Sequence, residues 1–414
     1  MKTKLICIIT FLALIICIFI NLDLVPLRRE ISDLEIVMVA GMDKTEKGYE
    51  ISFLKKKKQE ANSGDDTQSN ESDSVTQVVS IEAENYDLAM RQLKTLTDKY
   101  ITASHIKYYI IGEKTAEDDL THVIDTIARG YQTRLNSKVY ISKSMTAKEF
   151  LQKASKSDYN VQEKLKNMED SFWNQRLSTP TDLTDVGNIF LSTKGDGIMA
   201  TLNFEEKETL DTKSVKIGEE KTNESKDTEK GLFEFSGAAL IKDMKLVDYL
   251  SSDEMTTANY ILINNSVDVI SIKYEDAVVT FGLQNIKSDI SFRFSKDDIV
   301  NEVIINIRYE ANYEEADAVK PIFTLDMINY FNAKLNENVK SKAQNIINLE
   351  FEKDIDFLNL EKKLEFSNPY KYEKNRRDIM ENFKKCKFSI NVRGKIQTTY
   401  DVVESNIKQK GDNT

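Results

Sequence analysis

The sequence predicts a mixed α/β fold: a multi-domain, mixed-sheet body behind a single N-terminal membrane anchor. Three observations predict it. Residues 5–22 form one apolar run, residues 106–154 alternate strand and helix signals in a βαβαβα rhythm, and residues 231–309 are strand-rich and lead into a long helix with one apolar stripe. A length of 414 residues suits two or three domains. The 40% hydrophobic and 30% charged residues are those of a folded chain rather than a disordered or polytopic one.

Composition also removes function classes. With 57 basic against 68 acidic residues the net charge is −11, which opposes nucleic-acid binding. Of three cysteines, Cys7 and Cys17 lie in the apolar run and only Cys386 remains, so neither a disulfide framework nor a Cys-based zinc cluster can form. Two histidines, His105 and His122, fall on different predicted elements without an HxxxH or HxH pattern, and His105 is expected to open a strand as a structural residue. No catalytic residue, cofactor or metal site is predicted. G-x-S-x-G, HExxH, P-loop and Cys-x-x-Cys motifs are absent. Adjacent carboxylates such as Asp118-Asp119 and Asp297-Asp298 point to different faces of a helix or strand and read as solvated.

Lys2 and Lys4 precede the apolar run. Eighteen residues at ~1.5 Å each span about 27 Å, close to the ~30 Å hydrocarbon core of a bilayer. Residues 1–23 therefore read as a membrane anchor. A removed signal segment is the alternative, but its apolar region is usually ~7–15 residues and ends at a small-x-small site, which Ile18, Phe19, Ile20 and Asn21 do not offer. The lysines favour a cytoplasmic N-terminus with the remainder exported, and Arg28 and Arg29 oppose it. Cys17 is the candidate lipidation site, yet Ile16 stands where a lipoprotein box needs a small residue. Cys17 reads better as an apolar anchor residue.

Residues 28–203 are expected to form an N-terminal α/β domain. Strands at 35–41 and 49–54 flank a turn at 43–48, and a polar segment at 59–76 forms a flexible loop before a strand at 75–81. The lysines at 55–58 read as a solvated strand end, with anionic headgroups as the sharper alternative. Asn85 caps a helix carrying Leu88, Ala89, Leu93 and Leu96. A strand at 106–111, a helix beginning near Thr115 with Leu120, Val123, Ile124 and Ile127, a strand at 138–142 and a helix at 147–154 complete the alternation, which argues for parallel pairing.

Residues 204–230, with nine acidic and six basic residues, read as a charged linker or an exposed hairpin. Residues 231–405 form a C-terminal α/β domain, with a division near 310 as the alternative, and 406–414 a tail. Its elements are a hairpin at 231–250, a helix at 252–263 capped by Ser252, four strands at 267–273, 277–283, 289–294 and 300–309, and the longest helix, opened by Pro321. Leu325, Ile328, Phe331, Leu335, Val339, Ala343 and Ile346 recur at three- and four-residue spacing as one sheet-covering stripe.

These residues also resemble the Ger(x)C family, the C subunits of nutrient germinant receptors in endospore-forming bacteria. Arg28-Arg29-Glu30-Ile31-Ser32-Asp33-Leu34 followed by Gly41-Met42-Asp43-Lys44 is similar to the family's RREI-x-DL segment and G-x-D-K turn. The segment from His105 to Ile110-Ile111-Gly112-Glu113 resembles its H-x4-IIGE block, and Arg129 and Arg134 fit beside it. Gly237-Ala238-Ala239-Leu240-Ile241-Lys242 with Lys245-Leu246-Val247 resembles its hairpin. Ala343-Gln344, Asp354-Ile355-Asp356-Phe357, Pro369 and the strand at 388–394 resemble its C-terminal signature.

Two departures stand out. Residues 21–27 occupy the place of the family's lipidated cysteine, which favours the membrane-spanning anchor. Asp356 and Leu358-Asn359-Leu360 replace a glycine-bearing D-I-F-G-F-G stretch, so a different turn is expected there. The resemblance implies a non-enzymatic subunit of a spore nutrient germinant receptor, on the outer face of the spore inner membrane, that assembles or couples the complex with two polytopic membrane subunits. The alternatives from other classes are an anchored extracytoplasmic hydrolase and a module that binds a small molecule directly.

Overall fold

The computed structural model describes residues 34–56, 76–206, 231–316 and 324–398, apart from 98, 119, 131–132, 158, 176–177, 180, 192–194 and 276, together with 6 and 9–14 near the N-terminus. Most of the expected anchor, Cys17, the 59–76 loop except Thr76, Pro321 and the 406–414 tail lie outside these residues. Residues 9–14 are helical and exposed, and among the described residues no helix is long and apolar enough to cross a membrane.

Eight strands form the main sheet, in the order β10-β9-β8-β7-β6-β2-β3-β4. They are β2 (Val39–Thr45), β3 (Gly48–Lys56), β4 (Thr76–Ala83), β6 (Tyr108–Gly112), β7 (Lys138–Ser142), β8 (Gly197–Glu206), β9 (Gly231–Lys242) and β10 (Lys245–Leu250). The central strands β2, β6, β7 and β8 run parallel, and antiparallel strands flank them on both sides. A two-stranded parallel sheet, β1 (Leu34–Ile36) with β5 (Tyr100–Thr102), stands apart.

The sheet is buried on both faces, which is why β6 reads as an unbroken apolar run. Tyr109 and Ile111 face a layer made by α1 (Tyr86–Thr97), α3 (Leu120–Arg129) and α6 (Leu183–Leu191). Tyr108 and Ile110 face the opposite layer, α4 (Ala147–Ser155) and α5 (Val161–Gln175). The expected helix faces hold: Leu120, Val123, Ile124 and Ile127 are all buried. Asn85 caps α1, its Oδ1 accepting the Leu88 N–H at 2.9 Å.

Several local expectations need correction. The helix expected from Thr115 is two, α2 (Glu113–Asp118) and α3. His105 does not open a strand: it ends a 3-10 turn, Ala103–His105, because the Thr102 hydroxyl accepts the Ser104 N–H and closes the chain locally. The strand expected at 106–111 runs instead from Tyr108 to Gly112.

The boundaries read from composition do not coincide with sheet boundaries. β8 and β9 pair with each other up to Glu206 opposite Gly231, so the charged 204–230 stretch connects neighbouring strands of one sheet rather than two sheets. Composition reports only that such a segment cannot bury a face, whereas strand pairing decides which layer its ends join. The main sheet therefore continues to Leu250.

The second sheet has the order β11-β12-β13-β14, with β11 (Ser266–Tyr274), β12 (Ala277–Phe294), β13 (Val300–Ala316) and β14 (Lys387–Thr398). The strands expected at 277–283 and 289–294 are one strand, β12. A bulge between Gln284 and Lys287, with Asn285 at φ 54°, carries it past the break in the pattern. Residue 310 lies within β13, and β14 returns parallel beside it.

The long helix, α8 (Leu325–Lys353), starts at a Thr324 cap whose hydroxyl accepts the Met327 N–H. Phe331, Leu335, Val339, Ala343, Ile346 and Ile347 cover the sheet, while Leu325, at the helix start, is 72% exposed. Between the sheets sits α7 (Ser252–Leu262). Its cap is Ser251, not Ser252: the Ser251 hydroxyl accepts the Glu254 N–H, and the Glu254 carboxylate accepts the Ser251 N–H. Met255, Ala258, Tyr260 and Ile261 of α7 join Ala238, Leu240 and Leu250 of the main sheet to the core beneath α8.

Replacing Phe331, fully buried against Phe281 at a ring separation of 5.1 Å, with alanine is expected to lower unfolding free energy by about 3–5 kcal/mol. Leu325→Ala is expected to change it by less than about 0.5 kcal/mol. Urea titration of the two variants checks this contrast.

Candidate functional site at the junction of the two sheets

In open α/β sheets, ligands bind outside the carboxyl ends of the parallel strands. Here that edge is filled by the chain itself. Asp43, at the end of β2, accepts the Ala147 and Lys148 N–H groups at 2.8 and 2.9 Å and so caps α4 from another element. Burial pushes its carboxyl up to about 6 despite those two bonds. A Cβ on Gly112 would overlap Asp43 Oδ1, which explains glycine at the end of β6. Lys44 pairs with Asp118, Glu113 accepts the Tyr249 hydroxyl, and Lys143 lies 4.6 Å from the Tyr249 ring. The G-x-D-K and IIGE residues thus build a closed joint.

The residues beneath α5 are likewise engaged with one another. Tyr140 and Tyr108 both donate to Glu169, at 2.5 and 3.4 Å, and burial raises the Glu169 carboxyl above its usual range. Beside them a groove of about 520 Å3 runs between α5 and β9, lined by Tyr159, Met168, Phe172, Leu232 and Phe235. Lys164 lies 4.4 and 4.7 Å from the Tyr159 and Phe233 rings.

The most perturbed charges gather where the end of α8 meets the hairpin of the main sheet. Asp354, the left-handed C-cap of α8 at φ 55°, is bound by Lys384 at 2.5 Å and by Lys242 at 2.9 Å. Those two ammonium groups hold its carboxyl down to about 2. Lys353 pairs with Asp248 of β10 at 2.5 Å. Thus Lys242 of the hairpin motif and Asp354 of the C-terminal motif, 112 residues apart, form one contact.

Behind it lie two wholly buried carboxyls. Glu350 Oε2 accepts the Leu358 N–H at 2.7 Å, and desolvation raises Glu350 well above its usual range. Asp356 accepts the Leu360 and Glu361 N–H groups at 2.7 and 2.9 Å, capping α9 (Leu360–Ser367), and burial lifts it to about 6. Lys363 donates to the Leu358 carbonyl at 2.7 Å, and burial lowers its ammonium. Asn359 takes φ 56° in this stretch, so a left-handed position is present where a different turn was expected. Asparagine tolerates that region better than other side chains with a Cβ.

A cleft of about 370 Å3 opens beside this cluster, between α6 and β8 on one side and α9 on the other, with Ile189, Ile198, Leu262, Lys362 and Phe366 among its lining. The sequence signal for the junction was available: Glu350 follows Ile346 and Ile347 on the apolar stripe of α8, where a charge must be buried. Its partners were not legible.

His105 and His122 remain on separate elements, and among the described residues no group of three or more His, Cys, Asp or Glu side chains is placed to hold a metal ion. Asp298 is held by Lys374 and Lys371, which lower its carboxyl. Arg129 pairs with Asp125 on the exposed face of α3. Cys386, its thiol raised to about 11 by burial, contacts the Val300 carbonyl.

Comparison with known families gives two matches: the spore germination protein N-terminal domain over residues 28–203, and the spore germination B3/GerAC-like C-terminal domain over residues 236–400. Among solved structures, the crystal structure of the GerBC protein is similar at 14% identity, over 87% of this chain and 97% of that chain, with a TM-score of 0.49. No curated protein matches.

The junction has a pH signature. Asp356 binds its proton more tightly folded, near pH 6, than unfolded, near 3.8. Its contribution to stability is therefore full below about pH 4, falls as the pH rises to about 6, and is constant above that. Asp356→Asn is expected to remove this share of the slope, on the order of 2–3 kcal/mol across the window, and to leave the share of Asp43, which burial also raises to about 6. Denaturant midpoints of protein and variant from pH 3.5 to 7.5 would show it.

Proposed function

The chain belongs to the Ger(x)C family of spore germination proteins, and on that premise we propose that it is a non-enzymatic, membrane-anchored subunit of a nutrient germinant receptor, acting in assembly or signal coupling. The observation that carries this reading is the pair of family matches, which cover both halves of the chain in order. The apolar run at 5–22 behind Lys2 and Lys4 supports a single N-terminal anchor in the spore inner membrane, with the body on its outer face. Its partners are two polytopic membrane subunits, which bind the nutrient.

The architecture suits a coupling part. The motif residues go into internal contacts, Asp43 with α4 and Lys242 with Asp354, rather than into an open reacting site. One continuous core joins the hairpin of the main sheet to the second sheet. A body held near the membrane needs only modest affinity for its neighbours, because tethering raises their effective concentration.

Spores lacking this chain are expected to lose the response to nutrients served by their receptor, and the two polytopic subunits are expected to co-purify with the full chain from detergent-solubilised membranes. Unchanged nutrient response in the deletion strain, or turnover of a substrate by the purified protein, would refute the reading. Intact mass of the membrane-extracted chain tests the anchor: residues 1–22 are expected to be retained, and Cys17 to carry no diacylglyceryl group.

A further inference from the structure

The two most exposed large apolar side chains among the described residues are Phe366, 77% exposed, and Tyr370, 74% exposed. They lie four residues apart, at the bend between α9 and α10 (Pro369–Asn375). The bend is built firmly. Asn368 Oδ1 accepts the Lys371 N–H at 3.1 Å, Pro369 opens α10, and Leu360, Leu364 and Tyr372 of the same two helices are buried. The Tyr372 hydroxyl donates to Glu361 at 2.7 Å, bracing one helix against the other. The two rings are thus held outward by a rigid support, and they leave a considerable apolar area in water.

The charge around them is net positive. Lys362 Nζ is 5.9 Å from the Phe366 ring and Lys374 Nζ is 5.3 Å from the Tyr370 ring. Lys371 and Lys374 share the single carboxylate of Asp298, and Arg376 meets Glu373 at 3.8 Å. From α9 through α10 to α11 (Ile379–Lys385), residues 360–385 hold eight lysines and arginines against five acidic residues, in a chain of net charge −11. A chain so acidic is repelled by an anionic surface except where its charge reverses locally. Exposed aromatic rings bracketed by lysine and arginine are the combination that settles at a lipid headgroup layer: the rings enter the boundary and the cations meet phosphates.

We propose that the bend between α9 and α10 docks on an anionic phospholipid surface. Phe366 and Tyr370 enter the headgroup region, and Lys362, Lys374, Arg376 and Arg377 face lipid phosphates. This rests on the reading of the chain as a membrane-associated subunit and adds a second contact to it, one that sets which face of the body lies against the bilayer.

The test uses the full chain with Trp173→Phe, so that Phe366→Trp is its only tryptophan, in vesicles of phosphatidylcholine with brominated phosphatidylglycerol or of brominated phosphatidylcholine alone. Docking predicts blue-shifted and quenched emission from residue 366 in the anionic vesicles, reversed by high salt and absent in the neutral ones. Adding Lys362→Glu and Lys374→Glu is expected to weaken it more than about tenfold. Retention of the chain in pelleted vesicles at high salt reports the N-terminal anchor separately. If the chain is not retained, quenching by added anionic vesicles still decides the docking. No quenching in either membrane overturns the proposal, as does equal quenching in both. Protection of residue 366 by the polytopic subunits without lipid quenching overturns it in favour of a protein partner.

Discussion

The structure depends on one constraint: the parallel strands at the centre of the main sheet are buried on both faces. Tyr108 and Ile110 point one way, Tyr109 and Ile111 the other, and neither pair can face water. Helices must therefore lie on both sides: α1, α3 and α6 cover one face and α4 and α5 the other. The same constraint closes the carboxyl edge of the sheet. Where α4 follows β7, its first N–H groups need an acceptor, and Asp43 reaches them from β2. What serves as a ligand site in many α/β proteins is here a structural joint.

The second sheet meets the first through α7 and the end of α8. This contact combines an apolar core with a shell of paired charges, Lys242 and Lys384 on Asp354 and Lys353 on Asp248. Each exposed pair contributes little alone. The buried carboxyls behind them matter more, because a group desolvated without full compensation must stay protonated or be held by backbone N–H groups. Backbone N–H groups hold both Glu350 and Asp356, fixing the turn from α8 into α9. That turn in turn sets the bend that presents Phe366 and Tyr370, so the packing of the junction and the outer surface of the helices are linked through a few residues.

Periodicity and turn chemistry determined most local elements. The helix faces at Leu120, Val123, Ile124 and Ile127 and along Phe331 to Ile346, the cap at Asn85 and the strand at 138–142 were legible, because each depends on neighbours within a turn or two of chain. The family likeness was legible in the order of short motifs from residue 28 onward. The misread places share a cause. His105 was drawn from a strand into a 3-10 turn by the Thr102 hydroxyl, and β12 continued through a bulge at Asn285 that no two-residue alternation announces.

By itself the sequence determined an α/β alternation, an acidic body without cysteine- or histidine-rich chemistry, and the faces on which helices bury. Tertiary structure alone decided that β8 and β9, on either side of residues 207–230, pair in one sheet, that β14 closes the second sheet beside β13, and that Lys242 and Asp354 meet. Strand pairing and ion pairing across a hundred residues are set by the shape of the folded core, and no local pattern of side chains encodes which distant partner that shape brings near.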